Sequence, residues 1–292
     1  MLNKCQSCAS SNISQFLGSE DTKAIAFYCN DCYLVQIKKT NKMNKVTLDD
    51  SEIPQREIVL RSKFVDEIVD HLNLNEDSFI LELVNSKSVF RQLKKKKKID
   101  CVTAKSIDDS NSEPFGIEQA WSFISESHPI SKGRKPDLII ANNIMSHSHD
   151  INEVLEAMML ILKDGGSLIV DDVYISSIFE LDNHADILNK SDFWLSTHSL
   201  GKACERHGLK IVDAHFIDKT DEDDMAKMRW TIQHDNMFSV SPNVIAILGN
   251  EVEQGYIDDN KYLEMSLLVK YLISGASSGI GNALAYEADR NK

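Results

Sequence analysis

Apolar positions along the middle of the chain switch repeatedly between two periods. Ile58, Val59, Phe64, Val65, Ile68, Val69 and Leu72 recur at helical spacing and predict an amphipathic helix over 58–72. Phe79-Ile80-Leu81-Glu82-Leu83-Val84 is instead a short, nearly unbroken apolar run, as in a strand covered on both faces. Ile99-Asp100-Cys101-Val102 and Asp137-Leu138-Ile139-Ile140-Ala141 predict two further strands. Residues 151–162 return to helical spacing and stop at Lys163-Asp164-Gly165-Gly166, where glycine supplies the C-terminal turn. Ser167-Leu168-Ile169-Val170 reads as the next strand, 200–207 as a helix closed by Gly208, and Leu209-Lys210-Ile211-Val212 as another strand. Strands alternating with helices predict an α/β fold with a mostly parallel, doubly wound, Rossmann-like sheet.

The flanks follow a different pattern. Ala24-Ile25-Ala26-Phe27-Tyr28 and Tyr33-Leu34-Val35-Gln36-Ile37 read as strands on either side of a turn, and the polar stretch 38–55, with Pro54, reads as a linker. After residue 216 the periodicity weakens, leaving the acidic loop 220–224 and a strand over Met228-Arg229-Trp230-Thr231-Ile232. Three units are expected: a module at 1–50, the Rossmann-like domain at 51–215 and an incomplete C-terminal α/β region at 216–292.

The small module carries the sharpest chemistry. Cys5-x2-Cys8 and Cys29-x2-Cys32 have the spacing of a closed, structural four-thiolate zinc site, because each pair places two sulfurs on one tight turn. Two disulfides, or four unrelated buried thiols, are the alternatives. No apolar run approaches the roughly 18 residues needed to cross a bilayer, and the first residues lack the apolar core of a secretion signal, so the cytoplasm is the expected compartment. A net charge of −13 argues against nucleic acid as the main partner. The lysine run 94–98 fits a solvated helix end better than a phosphate site.

Asp137-Leu138-Ile139-Ile140-Ala141-Asn142-Asn143-Ile144-Met145-Ser146-His147, with Asp150-Ile151-Asn152 and Leu162-Lys163-Asp164-Gly165-Gly166 in register, resembles a known family. It is the class I S-adenosylmethionine-dependent methyltransferases with an N-terminal four-cysteine zinc domain, chiefly the deoxysugar C-methyltransferases. Cys29-Asn30-Asp31-Cys32-Tyr33-Leu34-Val35-Gln36 upstream and Val240-Ser241-Pro242-Asn243-Val244 downstream extend the resemblance over about residues 1–265. It implies S-adenosylmethionine as cofactor, with Glu82, Asn85, Asn142 and Asn143 around it, and zinc held by Cys5, Cys8, Cys29 and Cys32. It also implies a nucleotide-sugar-like small molecule as methyl acceptor, with neither nucleic acid nor membrane as partner. His147 stands at a family position and is the candidate general base, since carbon methylation requires removal of a proton beside a carbonyl. Its alternative reading is a histidine capping a strand end. His184, Asp186 and His198 are candidates for a displaced base.

The departures bear on activity. The family's glycine-rich turn is Glu82-Leu83-Val84-Asn85-Ser86-Lys87-Ser88-Val89, with Lys87 for an aspartate and Ser88 for a glycine. Thr103 aligns with the acid that meets the ribose, and Asp100 could replace it only by a shift of register. No Tyr-His-Glu-His group survives in 183–200, and Ala226-Lys227-Met228-Arg229 replaces a later glycine pair. A catalytically inactive zinc protein serving binding or assembly is therefore the second expectation. Gly275-x3-Gly279-x-Gly281 resembles a dinucleotide fingerprint, but 11 residues follow it, too few for a Rossmann half, and a truncated or fused C-terminus is expected.

Overall fold

The computed structural model describes residues 4–19, 24–39, 64, 67–69, 71–84, 100–105, 116–123, 125, 131–180, 184–217, 225–234 and 240–258. Among the described residues, ten strands lie in two sheets. β1 (Ile13–Ser19), β2 (Ala24–Cys29) and β3 (Val35–Lys39) form an antiparallel meander next to the cysteines. β4 (Phe79–Val84), β5 (Asp100–Lys105), β6 (Leu138–Asn142) and β7 (Ser167–Val173) form the parallel part of the second sheet. β8 (Phe193–Trp194) leaves that domain and pairs with β3, so the meander becomes four-stranded. β9 (Leu209–Ile217) and β10 (Lys227–His234) complete the large sheet in the order β5-β4-β6-β7-β10-β9.

The expected α/β class holds, and the sheet is mixed rather than wholly parallel. β10 runs antiparallel to both β7 and β9. Only the short segment 218–226 joins β9 to β10, too few residues for the crossover that a parallel neighbour requires.

Alternation along the strands explains the two faces of this sheet. Ile80, Leu138, Ile140 and Ile169 pack against Phe64, Ile68 and Val69 on one side. Phe79, Leu81, Leu83, Ile139, Ala141, Leu168 and Val170 belong to the larger core on the other. There α1 (Ile117–Phe123) and α2 (Ile151–Ile161) pack, and Phe123 stacks on Phe79 at 6.2 Å. Asp150 caps α2 by accepting from the amides of Asn152 and Glu153. The Gly165-Gly166 stop is obligatory in different ways. Gly165 has φ 77°, and a Cβ on Gly166 would lie 2.9 Å from the Asp137 carbonyl.

Four further helices follow: α3 (Ser176–Glu180), α4 (His184–Lys190), α5 (Thr197–Arg206) and α6 (Pro242–Glu253). α5 starts three residues earlier than its apolar spacing suggests, because Ser196 and Ser199 form a reciprocal capping box. No helix among the described residues is long and apolar enough to cross a membrane. The sequence-predicted helix at 58–72, the lysine run 94–98 and the glycine-rich tail fall wholly or mostly outside the described residues.

Candidate functional site

The two cysteine turns are copies of one another. In the first, the Cys5 amide donates to the Ser10 carbonyl at 2.7 Å and the Ala9 amide donates to the Cys5 carbonyl at 3.0 Å. In the second, the Cys29 amide donates to Leu34 at 3.0 Å and the Tyr33 amide donates to Cys29 at 2.8 Å. The residue after each second cysteine is left-handed, Ala9 at φ 63° and Tyr33 at φ 60°. Amide bonds at the same offsets therefore aim both pairs of sulfurs inward. The four Sγ atoms lie within 4.8 Å of one another, with Cys5–Cys32 at 3.4 Å and Cys8–Cys29 at 3.5 Å.

All four are free thiols, so the two-disulfide alternative is not present. A tetrahedral ion with metal–sulfur bonds of about 2.3 Å requires sulfurs about 3.8 Å apart, and this cluster brackets that value. Hydrogen bonds from Cys32 and Cys5 hold the Cys29 thiol down at about 2, whereas sharing with Cys29 pushes Cys5 up to about 12 and Cys32 up as well. Ligation of a divalent ion requires thiolates, so the ion and protons compete for these sulfurs. The donor set fits a structural metal site.

The second candidate site lies at the carboxyl edge of the large sheet. The chain steps from β4 to β5 on one side and later returns to β6 on the other, which makes the β4/β6 boundary a topological switch point. Asn142 ends β6 at the level of Val84 in β4 and Asp171 in β7. Asn143 turns the chain with φ 53°, and its amide donates to the Asp171 carbonyl at 2.8 Å. Asn142 and Asn143 therefore share one edge. Glu82 does not join them at its tip. It is fully buried two residues before the end of β4, on the same side of the strand as Ile80. Asn85, Lys87 and Ser88 lie outside the described residues.

His147 closes a 3-10 turn, Met145–His147, directly after this edge. The turn is held from below and from the side. The fully buried carboxylate of Asp172 accepts from the Ser146 amide at 3.0 Å, and the Ser146 carbonyl accepts from the Asp192 amide at 2.6 Å and from Ser191 Oγ at 3.2 Å. The surrounding protein lowers the imidazole pKa of His147, against the nearby charges of Asp172 and Asp192, which raise it. His147 itself is exposed to solvent. Burial raises the Asp172 carboxyl pKa, against hydrogen bonds from Ser146 and the charge of His147.

Other sequence candidates fall elsewhere. Asp100 sits at the first position of β5, level with Phe79, so its register puts it at the opposite edge from Asn142 and excludes the suggested replacement for Thr103. His198 is in the first turn of α5, its ring 6.4 Å from that of Tyr33 in the second cysteine turn. His184 and Asp186 lie on α4, with side chains outside the described set.

Three residues at this edge escaped the sequence reading: Asp171, Asp172 and Arg229. Arg229 on β10 grips Asp171 with two bonds, Nε to Oδ1 at 2.7 Å and Nη2 to Oδ2 at 2.5 Å, and its guanidinium covers the Phe64 ring at 3.0 Å. Two adjacent aspartates ending an apolar strand were the available signal. Farther along the same edge, a cavity of about 330 Å³ is walled by Tyr174, Phe216 and Tyr256, with Ser176, Glu180 and Asn250 among its polar lining. Tyr174 meets Phe216 and Tyr256 edge-on, and its hydroxyl donates to the buried Glu251 at 3.0 Å.

No protein-family model matches this sequence, and no curated protein does. Solved structures give weak likenesses. One is a Galdieria sulphuraria protein provisionally described as a sarcosine dimethylglycine methyltransferase (13% identity, TM-score 0.42, 66% of this chain and 92% of that one). Another is a SAM-dependent methyltransferase from Archaeoglobus fulgidus (11%, 0.41, 59% and 93%). A third is the cyclase SpnF (11%, 0.41, 61% and 82%). Likeness of this degree decides nothing about function, which has to be argued from the residues.

Proposed function

We propose that this chain is an S-adenosylmethionine-dependent methyltransferase with a zinc-stabilised N-terminal module. Its reaction would be carbon methylation beside a ketone of a nucleotide-linked deoxysugar, in the cytoplasm. The observation that carries this reading is the segment from Asp137 to Gly166. Its family-like motif ends β6 at the switch point with Asn142-Asn143 and then presents His147 on a turn anchored by a buried carboxylate. When bound, the cofactor would supply an electrophilic methyl group, and Asn142 and Asn143 would flank it.

The chain's own task is the proton. A pKa below the ordinary histidine value keeps His147 neutral near pH 7, the state that can accept a proton from the carbon beside the carbonyl. Once the ring is charged, Asp172 and Asp192 favour it electrostatically. The aromatic walls of the neighbouring cavity suit a ring-bearing acceptor, with Ser176 and Asn250 available for its polar groups.

Titration of the zinc-loaded protein with S-adenosylhomocysteine tests the cofactor reading, and transfer of a labelled methyl to nucleotide sugars tests the reaction. Micromolar affinity with transfer that falls at least about a hundredfold in His147→Ala supports both. Binding without transfer leaves the cofactor site and removes the reaction. Absence of binding at millimolar ligand favours the second reading, an inactive scaffold for binding or assembly. That reading is motivated by Lys87 and Ser88, where the family pattern has an acid and a glycine.

A further inference from the structure

Gln6 and Ser7 are the two residues enclosed by the first cysteine pair, and nearly every polar contact between that turn and the α/β domain runs through them. The Gln6 side chain brackets the cap of α2: its Oε1 accepts from the Ile151 amide at 3.0 Å and its Nε2 donates to the His149 carbonyl at 2.9 Å. The Gln6 carbonyl accepts from Asn152 Nδ2 at 2.6 Å and from Arg206 at 3.2 Å. The Ser7 carbonyl accepts from Arg206 at 2.8 Å, and the Ser7 hydroxyl donates to the Ser199 carbonyl at 2.6 Å, both serines being buried. Asn152 closes the network by accepting from Arg206 at 3.0 Å. His149, which Gln6 holds, is two residues from His147.

A second connection leaves the other end of the module. Lys39 on β3 pairs with Asp192 at 2.6 Å, the Ile37 amide donates to the Asp192 carbonyl at 2.8 Å, and the Asp192 amide donates to Ser146. The turn bearing His147 is thus held on both flanks by the cysteine module.

We propose that Gln6 and Ser7 form a metal-organised docking tongue that positions the His147 turn, so that occupancy of the four-cysteine site sets the geometry of the carboxyl edge. Two residues can direct five hydrogen-bonding groups into six bonds only if both ends of their loop are tied, and the ends are Cys5 and Cys8. A bound ion fixes those two sulfurs to Cys29 and Cys32. Without it, the loop depends on thiol contacts and on the left-handed Ala9. Gln6 and Ser7 act through the turn and are positioning residues. The inference rests on the reading of the cysteines as a metal site and is independent of methyl transfer.

Amide hydrogen exchange of the full-length chain tests it, with Co²⁺ as the metal probe because its thiolate absorption reports coordination. In the metal-loaded protein, the Ile151 amide should be protected, and stripping the metal should speed its exchange about tenfold or more, the loss expected for one hydrogen bond. Gln6→Ala combined with Ser7→Ala should keep the cobalt–thiolate spectrum yet exchange at 149–152 and 199–206 like stripped wild type. Ile80–Leu83, in the central strand, should stay protected in that loaded variant, which keeps the test decisive even if the stripped chain unfolds. Unchanged exchange at 149–152 in the loaded variant would overturn the proposal. So would a wild type that loses its metal without any change there, or one that binds no cobalt at all.

Discussion

The cysteine module and the carboxyl edge of the large sheet solve the same problem, placing a few side chains accurately, in opposite ways. In the module, two short turns with identical amide bonding fix four sulfurs, and the pieces are at most 27 residues apart. At the edge, Asn142, Asp171 and Arg229 come from three strands and meet only because the sheet register brings them level. A local site announces itself by spacing. An assembled site is visible only once strand order and register are known.

The comparison would break most visibly at the metal. Replacing Cys32 with Ser should abolish tight Co²⁺ binding and remove much of the stabilisation that structural zinc provides, apparent values for which run at about 10–16 kcal/mol in zinc-finger peptides. Thermal unfolding with and without chelator checks this. The variant should melt alike in both, and like stripped wild type, whereas an unaltered melt in chelator-treated wild type would remove the structural role of the ion.

At the assembled edge the largest single effect should come from Arg229→Leu. It leaves Asp171, 4% exposed, without its two charge-assisted bonds, at a cost of about 3–5 kcal/mol by denaturant unfolding. A cost near zero would mean that the pair is relieved by repacking and does not hold β7 and β10 together.

A smaller effect should link the two regions. Lys39 lowers the His147 pKa and neutralises Asp192, which raises it. Lys39→Met should therefore move the His147 titration to higher pH, followed by NMR of the ring protons. The lowered folded-state value means that the folded protein releases this proton more readily than the unfolded chain. His147 accordingly weakens stability as pH falls through about 6.5, the unfolded value, and the acidic limb of any reaction using it as base lies below that pH. In Lys39→Met that limb shifts upward. An unchanged titration would show that the module does not reach the ring electrostatically.

The smallest effect concerns Asn143. Its φ of 53° suits asparagine or glycine, so Asn143→Gly should change stability by less than about 1 kcal/mol. Cofactor affinity then separates backbone from side chain. Retained binding means that the asparagine serves the turn, and a loss of tenfold or more assigns its amide to the ligand.

Much of this molecule was legible in the sequence for physical reasons. Strands buried on both faces read as apolar runs, so β4, β6 and β7 lie where Phe79–Val84, Leu138–Ala141 and Ser167–Val170 suggest. The Gly165-Gly166 stop and the cysteine turns depend on contacts within a few residues, and local sequence determines those. α6 was missed as a helix although Ser241 caps it and Pro242 opens it, because its apolar face, Val244 and Ile247, is narrow.

Tertiary structure alone decided the rest. Phe193-Trp194 is too short to declare itself a strand and becomes one only by pairing with β3. Whether Asp100 could stand in for Thr103 by a shift of register is decided only by the pairing with β4, which assigns the two to opposite halves of β5. Gln6 and Ser7, in the sequence only spacers between cysteines, gain their partners from α2 and α5, about 145 to 200 positions away. Spacing along a chain specifies what neighbours can do together. What distant residues do together depends on the packing that makes them neighbours, and no single segment contains that information.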